Sequence, residues 1–305
     1  MRYNPPISAT PEEIQQIAID IILSKAGKRK LVRRRHRMLM REQERKLQPA
    51  VKEFMDYMTA TLKAGLSRMK GRTAAKRASS IADWDEIRQR GNEILKPALH
   101  EVLIAGGNYA IKGTIQKGEL RPGDSIRSIM QKQARFDPIG EEAVAWSTKH
   151  TAELVVEITK DTMEAIREFI TAGINAGKSM PKIARELRPI VGLHSQYAGA
   201  VDKFYASLIE EGVAVADASK KAERYAGRLH RRRTMTIART ETAFSLSEGQ
   251  RLGYAQMGIK NLERVEDPEC CDICAEHNGQ IYSIKEAEGV LPEHPNCEGT
   301  WVAAT

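Results

Sequence analysis

The residues best suited to chemistry lie near the end of this 305-residue chain, where its four cysteines gather. Cys271 and Cys274 form a CxxC pair within PECCDICAEHNG, residues 268–279, and His294 and Cys297 form an HxxC pair within EHPNC. Each pair can reach one ion from a tight turn, and together they supply the four ligands that tetrahedral Zn2+ takes. Pro268 before the CxxC and Asn278-Gly279 after it put the pair on a turn, whereas a thioredoxin-like redox pair starts a helix after a buried strand. Cys270 and His277 stand beside these residues as alternates. The two-residue spacing within each pair is the commoner geometry and favours Cys271, Cys274, His294 and Cys297. With all four positions filled by protein, no place is left for water or substrate, so the expected Zn2+ is structural and no catalytic residue is expected.

Four cysteines are too sparse for a disulfide scaffold, and MRYNPPISATPEEIQQ lacks the basic and apolar regions of an export signal, so reduced thiols are expected. The ion would hold together a small β module. NLERVE (261–266), QIYSI (280–284) and GTWVA (299–303) read as short strands separated by turn residues. Three such strands bury too little to be stable alone, so metal binding would contribute folding energy.

The elements upstream read as helices. Thr10-Pro11-Glu12-Glu13 has the form of an N-cap, an N1 proline and a capping-box glutamate ahead of Ile14, Ile17, Ala18 and Ile21. Helical patterns cover 49–66, 84–107 and 141–177, with a polar linker expected at 67–80 and a Gly/Pro-punctuated excursion at 112–125. The predicted fold is mainly α. It comprises a basic helical N-terminal arm (1–80), a helical body (81–260) and a C-terminal zinc-stapled β module (261–305).

Net charge is +8, and it is local. Residues 25–46 hold 11 Lys or Arg against 2 Glu, leaving 38 acidic and 37 basic residues in the rest of the chain. Concentrated positive charge is the footprint of a polyanion partner, because each cation that meets a phosphate releases a condensed counterion. Lys28, Arg29, Lys30, Arg33, Arg34, Arg35 and Arg37 are the expected nucleic-acid contacts. Few aromatics interleave them, which favours duplex backbone over stacked single strands. Leu31, Val32, Met38, Leu39 and Met40 make no clean apolar stripe for a membrane surface, and no run of 18 apolar residues occurs.

Two motifs in the middle of the chain are set aside. GINAGKS (173–179) has three residues between its glycines where a phosphate-binding loop has four, and a helical pattern precedes it where a strand is required. It reads as a helix C-cap followed by a new helix start at Ser179 and Pro181. Residues 179–204 resemble a helix-turn-helix only as any two short packed helices do. Further on, Ile237, Glu241, Phe244, Glu248, Leu252 and Ala255 share one helix face, so two carboxylates lie on an apolar stripe. With no histidine nearby in sequence, a structural polar pairing is expected, with Arg239 of a neighbouring subunit or one of Arg231 to Arg233 as partner.

The order IARTET, SEGQRLGYAQMGI, RVEDPECCDICAEHNGQIY and HPNC resembles the phage head-morphogenesis, or minor capsid, family named after the F protein of phage Mu. Residues 238–241, Asp267, Cys271, Cys274, Gly279 and His294 to Cys297 carry the resemblance, which spans 236–297. The family commonly ends CRC, where this chain has Cys297-Glu298-Gly299. The resemblance implies a low-copy virion protein at the portal vertex of the phage head, made in the bacterial cytoplasm and acting in genome packaging or ejection. Its implied partners are the portal protein and phage genomic DNA, with scaffold or major capsid protein as further candidates and no membrane. It implies no catalytic residue. The competing readings are a helix-turn-helix regulator and a zinc-dependent phage nuclease; the latter would need more chain after Cys297 than the eight residues present.

Overall fold

The computed structural model describes residues 25–69, 73–116 and 135–304. The helix expected from Thr10 and the excursion from Lys117 onward lie outside the described residues. Four long helices dominate: α1 (Lys25–Gly65), α3 (Trp84–Gln116), α4 (Glu141–Asn175) and α7 (Val215–Gln256). Shorter helices fill between them: α2 (Ala74–Ser79), α5 (Met180–Leu187), α6 (Ser195–Glu210) and α8 (Asp272–Glu276). Three strands close the chain, β1 (Asn261–Val265), β2 (Ile281–Ser283) and β3 (Thr300–Ala303), in the order β2-β1-β3 with both pairings antiparallel.

Periodicity explains the helical part. Leu47, Val51, Phe54, Met58 and Leu62 recur at three- and four-residue intervals on α1 and are all fully buried, each contributing roughly 1.5–3 kcal/mol. They share one core with Leu95, Leu99 and Val102 of α3, Val155, Ile158 and Ile170 of α4, and Ala226, Ala238 and Leu246 of α7. The described part of 1–80 thus packs into the same core as the helices of 81–260. Part of the expected linker is itself ordered. Thr73 caps α2 by accepting from the Lys76 amide at 3.3 Å, and Trp84 Nε1 donates to the Ala78 carbonyl at 3.3 Å.

α3 and α7 cross backbone to backbone at glycines. A β-carbon on Gly106 would come 2.3 Å from the Leu246 carbonyl oxygen, and one on Gly249 would come 2.0 Å from that of Leu103. Only hydrogen fits there, so these glycines set the spacing that carries the C-terminal end of α7 onto the β module. Around 173–179 the chain turns as a helix cap. Gly177 has φ +69°, and the amide of Lys178 donates to the carbonyl of Gly173 at 2.9 Å. Ser179 then precedes α5, with Pro181 in its first turn. The connection from α5 to α6 takes seven residues, 188–194, with Ile190, Val191 and Leu193 buried in it. A DNA-reading helix-turn-helix uses a shorter, tighter turn.

The sheet rests on α7. Trp301 and Leu262 are fully buried and pack with Tyr254 of α7, Ala110 of α3, and Cys274, Leu291 and Cys297 of the connecting loops. α1 and α7 run antiparallel: His36 meets Gln250, while farther along α1 Thr59 shares the surroundings of Gly192 with His230.

Candidate metal centre

The strand β1 and the loops around it bring the cysteines together. After β1 the chain turns at Asp267, whose Oδ1 accepts from the Glu269 amide at 3.0 Å and whose carbonyl accepts from the Cys270 amide at 3.0 Å. Cys271 then caps α8, with its carbonyl accepting from Ala275 at 3.0 Å. The CxxC therefore starts a short helix, which corrects the expectation of a plain turn. Asp272 in the first turn favours that start, because a carboxylate there complements the helix dipole. Gly279, at φ +88°, reverses the chain into β2 and donates to the Arg264 carbonyl at 2.7 Å.

His294 Nε2 lies 3.2 Å from Cys271 Sγ and 3.0 Å from Cys274 Sγ, and Cys274 Sγ lies 3.7 Å from Cys297 Sγ. Two overlapping triads result, Cys271–Cys274–His294 and Glu266–Cys274–Cys297. Within each triad the donor atoms fall within 4.8 Å of one another, and Cys274 belongs to both. Two sulfurs held tetrahedrally at metal–sulfur distances of about 2.3 Å would stand about 3.8 Å apart, close to the observed separation. His294 Nδ1 faces the Pro295 carbonyl at 2.9 Å. A carbonyl only accepts, so Nδ1 carries the proton and Nε2 turns its lone pair toward the thiols. The residues present fit a tetrahedral thiolate–imidazole site.

Electrostatics point the same way. Burial and the neighbouring Cys297 push the Cys274 thiol well up, and burial raises Glu266. The Cys274 backbone amide holds the Cys271 thiol below its ordinary range, and the Pro295 carbonyl raises His294. Acidic groups crowded at low exposure repel one another until a cation neutralises them. The alternates stand apart from this cluster. His277 bonds Gln280 Oε1 at 3.1 Å and Glu293 at 3.3 Å, and Cys270 belongs to neither triad.

Sequence reasoning missed Glu266 and the ion network beneath it. Arg264, 1% exposed, donates from Nε to Glu266 at 2.5 Å and from Nη2 to Glu293 at 2.8 Å. Alternation through β1 and one residue beyond it was the available signal, since it puts Arg264 and Glu266 on one face.

The basic run divides between two uses. Arg29 pairs with Glu263, Arg37 with Asp267 and with Glu298 at 3.4 Å, and Arg33 Nη1 donates to the Glu266 carbonyl at 3.3 Å. Three of the seven expected nucleic-acid contacts thus bind the β module of their own chain. Lys30 and Arg34 are exposed and line a groove of about 640 Å3 with Arg41, Met38 and Pro268. Arg35 is exposed near Tyr109, and the side chain of Lys28 lies outside the described residues. Buried between α1 and the module, His36 Nδ1 accepts from Gln250 Nε2 at 3.1 Å, while Gln250 Oε1 accepts from Thr300 Oγ1 at 3.1 Å and the Trp301 amide at 3.2 Å. Burial lowers His36 to about 4.

The carboxylates of α7 find partners other than those expected. Glu241 meets His150 Nε2 of α4 at 2.6 Å, a histidine absent from the local sequence. Glu248 takes a bidentate grip from Arg251, one turn on, at 2.8 and 2.6 Å. Arg239 pairs within the chain with Glu298.

A comparison with protein families decides the kinship of this region. Residues 164–302 match the family described as Phage Mu protein F like protein. The Phage Mu F-like stretch begins within α4, well before the motifs that carried the sequence resemblance, and runs through the cysteine cluster into β3. A match to this family points to phage head morphogenesis and to a virion-associated protein with capsid-related partners. Among the described residues no helix is long and apolar enough to cross a membrane. No curated protein and no solved structure matches the chain.

Proposed function

We infer that this chain is a minor head protein of a phage, seated at the portal vertex and acting in genome packaging or ejection. The match of residues 164–302 to the Phage Mu F-like family is the observation that carries this reading. In it, Cys271, Cys274, His294 and Cys297 hold one structural Zn2+, with Glu266 beside them. The ion supplies cross-linking and charge neutralisation, while the chain's own residues set the shape: β1, α8 and the 291–297 loop converge on it, and the arginines of α1 dock on the result. DNA contact falls to the exposed stripe of α1. Lys30, Arg34, Arg41 and Arg45 project within about 60° of one another at 100° per residue, so they can follow a phosphate backbone without reading sequence. Lys30, Arg34 and Arg41 also line the groove of about 640 Å3, where their positive charge suits phosphate.

The test is quantitative mass spectrometry of procapsids and virions, with cross-linking in intact heads. A few copies per head cross-linked to the portal protein are expected. Absence of the chain from both particles, or cross-links spread evenly over the major capsid lattice, would overturn the portal assignment.

A further inference from the structure

A second concentration of positive charge lies on the N-terminal half of α7, where neither the run at 25–46 nor the metal module reaches. Lys220, Lys221, Arg224, Arg228, Arg231 and Arg232 occupy thirteen positions with only Glu223 as an acid among them. All six are exposed. At 100° per residue they project within roughly 120° of one another, while Glu223 lies about 60° outside the stripe. The opposite face, Ala218, Ala222, Ala226, Leu229 and Arg233, is buried and fixes the rotation of the helix.

The stripe is further marked by what its cations touch. Some exposed cations elsewhere meet carboxylates, as Lys46 meets Glu42, Lys52 meets Asp56 and Arg167 meets Glu164. Among the described residues none of the six α7 cations has an ion pair. Two are instead laid on aromatic rings, Arg228 at 5.4 Å from the Tyr225 centroid and Arg232 at 6.0 Å from that of Tyr197. A guanidinium held on a ring keeps its charge and has already lost part of its rotamer freedom. The stripe is about 18 Å long at 1.5 Å per residue, enough to follow a phosphate backbone past several base pairs.

We propose that this face of α7 is a second binding surface for the phosphate backbone of duplex nucleic acid, independent of the α1 stripe. It lies about 35 Å from that stripe along the antiparallel α1/α7 pair, at 1.5 Å per residue, so the two can be neutralised separately. A stripe along one helix face, two guanidinium groups held on rings and a lone acid lying off the stripe favour a duplex over an acidic protein segment.

The experiment measures anisotropy of a labelled random-sequence duplex against salt concentration, using the full chain. One variant carries Lys220→Gln, Lys221→Gln, Arg224→Gln and Arg231→Gln, leaving the ring-stacked arginines in place; a second carries Lys30→Gln, Arg34→Gln and Arg41→Gln. Removing four phosphate contacts lowers the slope of log K against log salt by about 3.6 in magnitude, with far-UV circular dichroism unchanged. An unchanged slope in the α7 variant would overturn the proposal, as would tighter binding of labelled polyglutamate than of duplex at equal salt. Loss in the α7 variant alone would uphold this surface and remove the α1 contact; no duplex binding by the unmodified chain would remove both.

Discussion

Lowering pH should loosen the seat of α1 on the β module through His36. The imidazole is 3% exposed, accepts from Gln250, and is held at about 4 by burial. In the unfolded chain it titrates near 6.5. Above pH 6.5 both states are neutral there and the group carries no penalty. As pH falls below 6.5 the unfolded chain takes up a proton that the folded chain refuses, so stability declines until pH reaches about 4, where the folded form also protonates. From 6.5 down to about 4, at about 1.36 kcal/mol per pH unit, the full effect is roughly 3 kcal/mol. His36→Gln keeps an acceptor for Gln250 and does not titrate. Urea unfolding of both proteins at pH 7, 5.5 and 4.5, followed by tryptophan fluorescence, isolates the difference, because titration of the carboxylates, cysteines and other histidines is common to both. The unmodified chain should lose about 2–2.5 kcal/mol more than the variant between pH 7 and 4.5. Parallel pH profiles would refute the reasoning.

Other substitutions test the packing. Gly249→Val must push Leu103 and its helix away from a contact of 2.0 Å, so thermal unfolding should show a loss of at least about 1–3 kcal/mol, whereas Gly258→Val, with open space around it but φ +76°, should cost less. Arg264→Ala leaves the buried Glu266 without its partner, and a loss of about 3–5 kcal/mol is expected in urea unfolding. Arg37→Ala should cost less than about 1 kcal/mol, since its pairs with Asp267 and Glu298 are solvent-screened. If the proposed ion is bound, chelation should change Trp301 fluorescence while leaving helical circular dichroism nearly intact, because the main helical core is separate from the cluster that holds Cys274 and Cys297.

What could be read before folding was what is local. The CxxC and HxxC spacings, the three short strands and the cap at Gly177 depend on neighbours a few residues away, and turn chemistry marks them in sequence. The β strands fall at Asn261–Val265, Ile281–Ser283 and Thr300–Ala303, inside or at the edges of the expected runs. Partners distant in sequence were hidden. Arg29 and Arg37 meet carboxylates 234 and 230 residues away, and Glu241 meets a histidine 91 residues earlier. No periodicity reveals such pairs. The α7 stripe was concealed differently: acids elsewhere balance it, so a whole-chain count outside 25–46 reads as neutral. The Glu248–Arg251 pair was within reach of sequence reasoning, because residues three apart on a helix are neighbours.

We propose that one ion joins β1, α8 and the 291–297 loop, and this can be measured directly. Native mass spectrometry of the chain purified without chelator, beside Cys274→Ser, measures it. One zinc per chain, lost in the variant because Cys274 belongs to both triads, is the predicted result. A metal-free chain with the β module intact, or a variant that keeps its zinc, would contradict it.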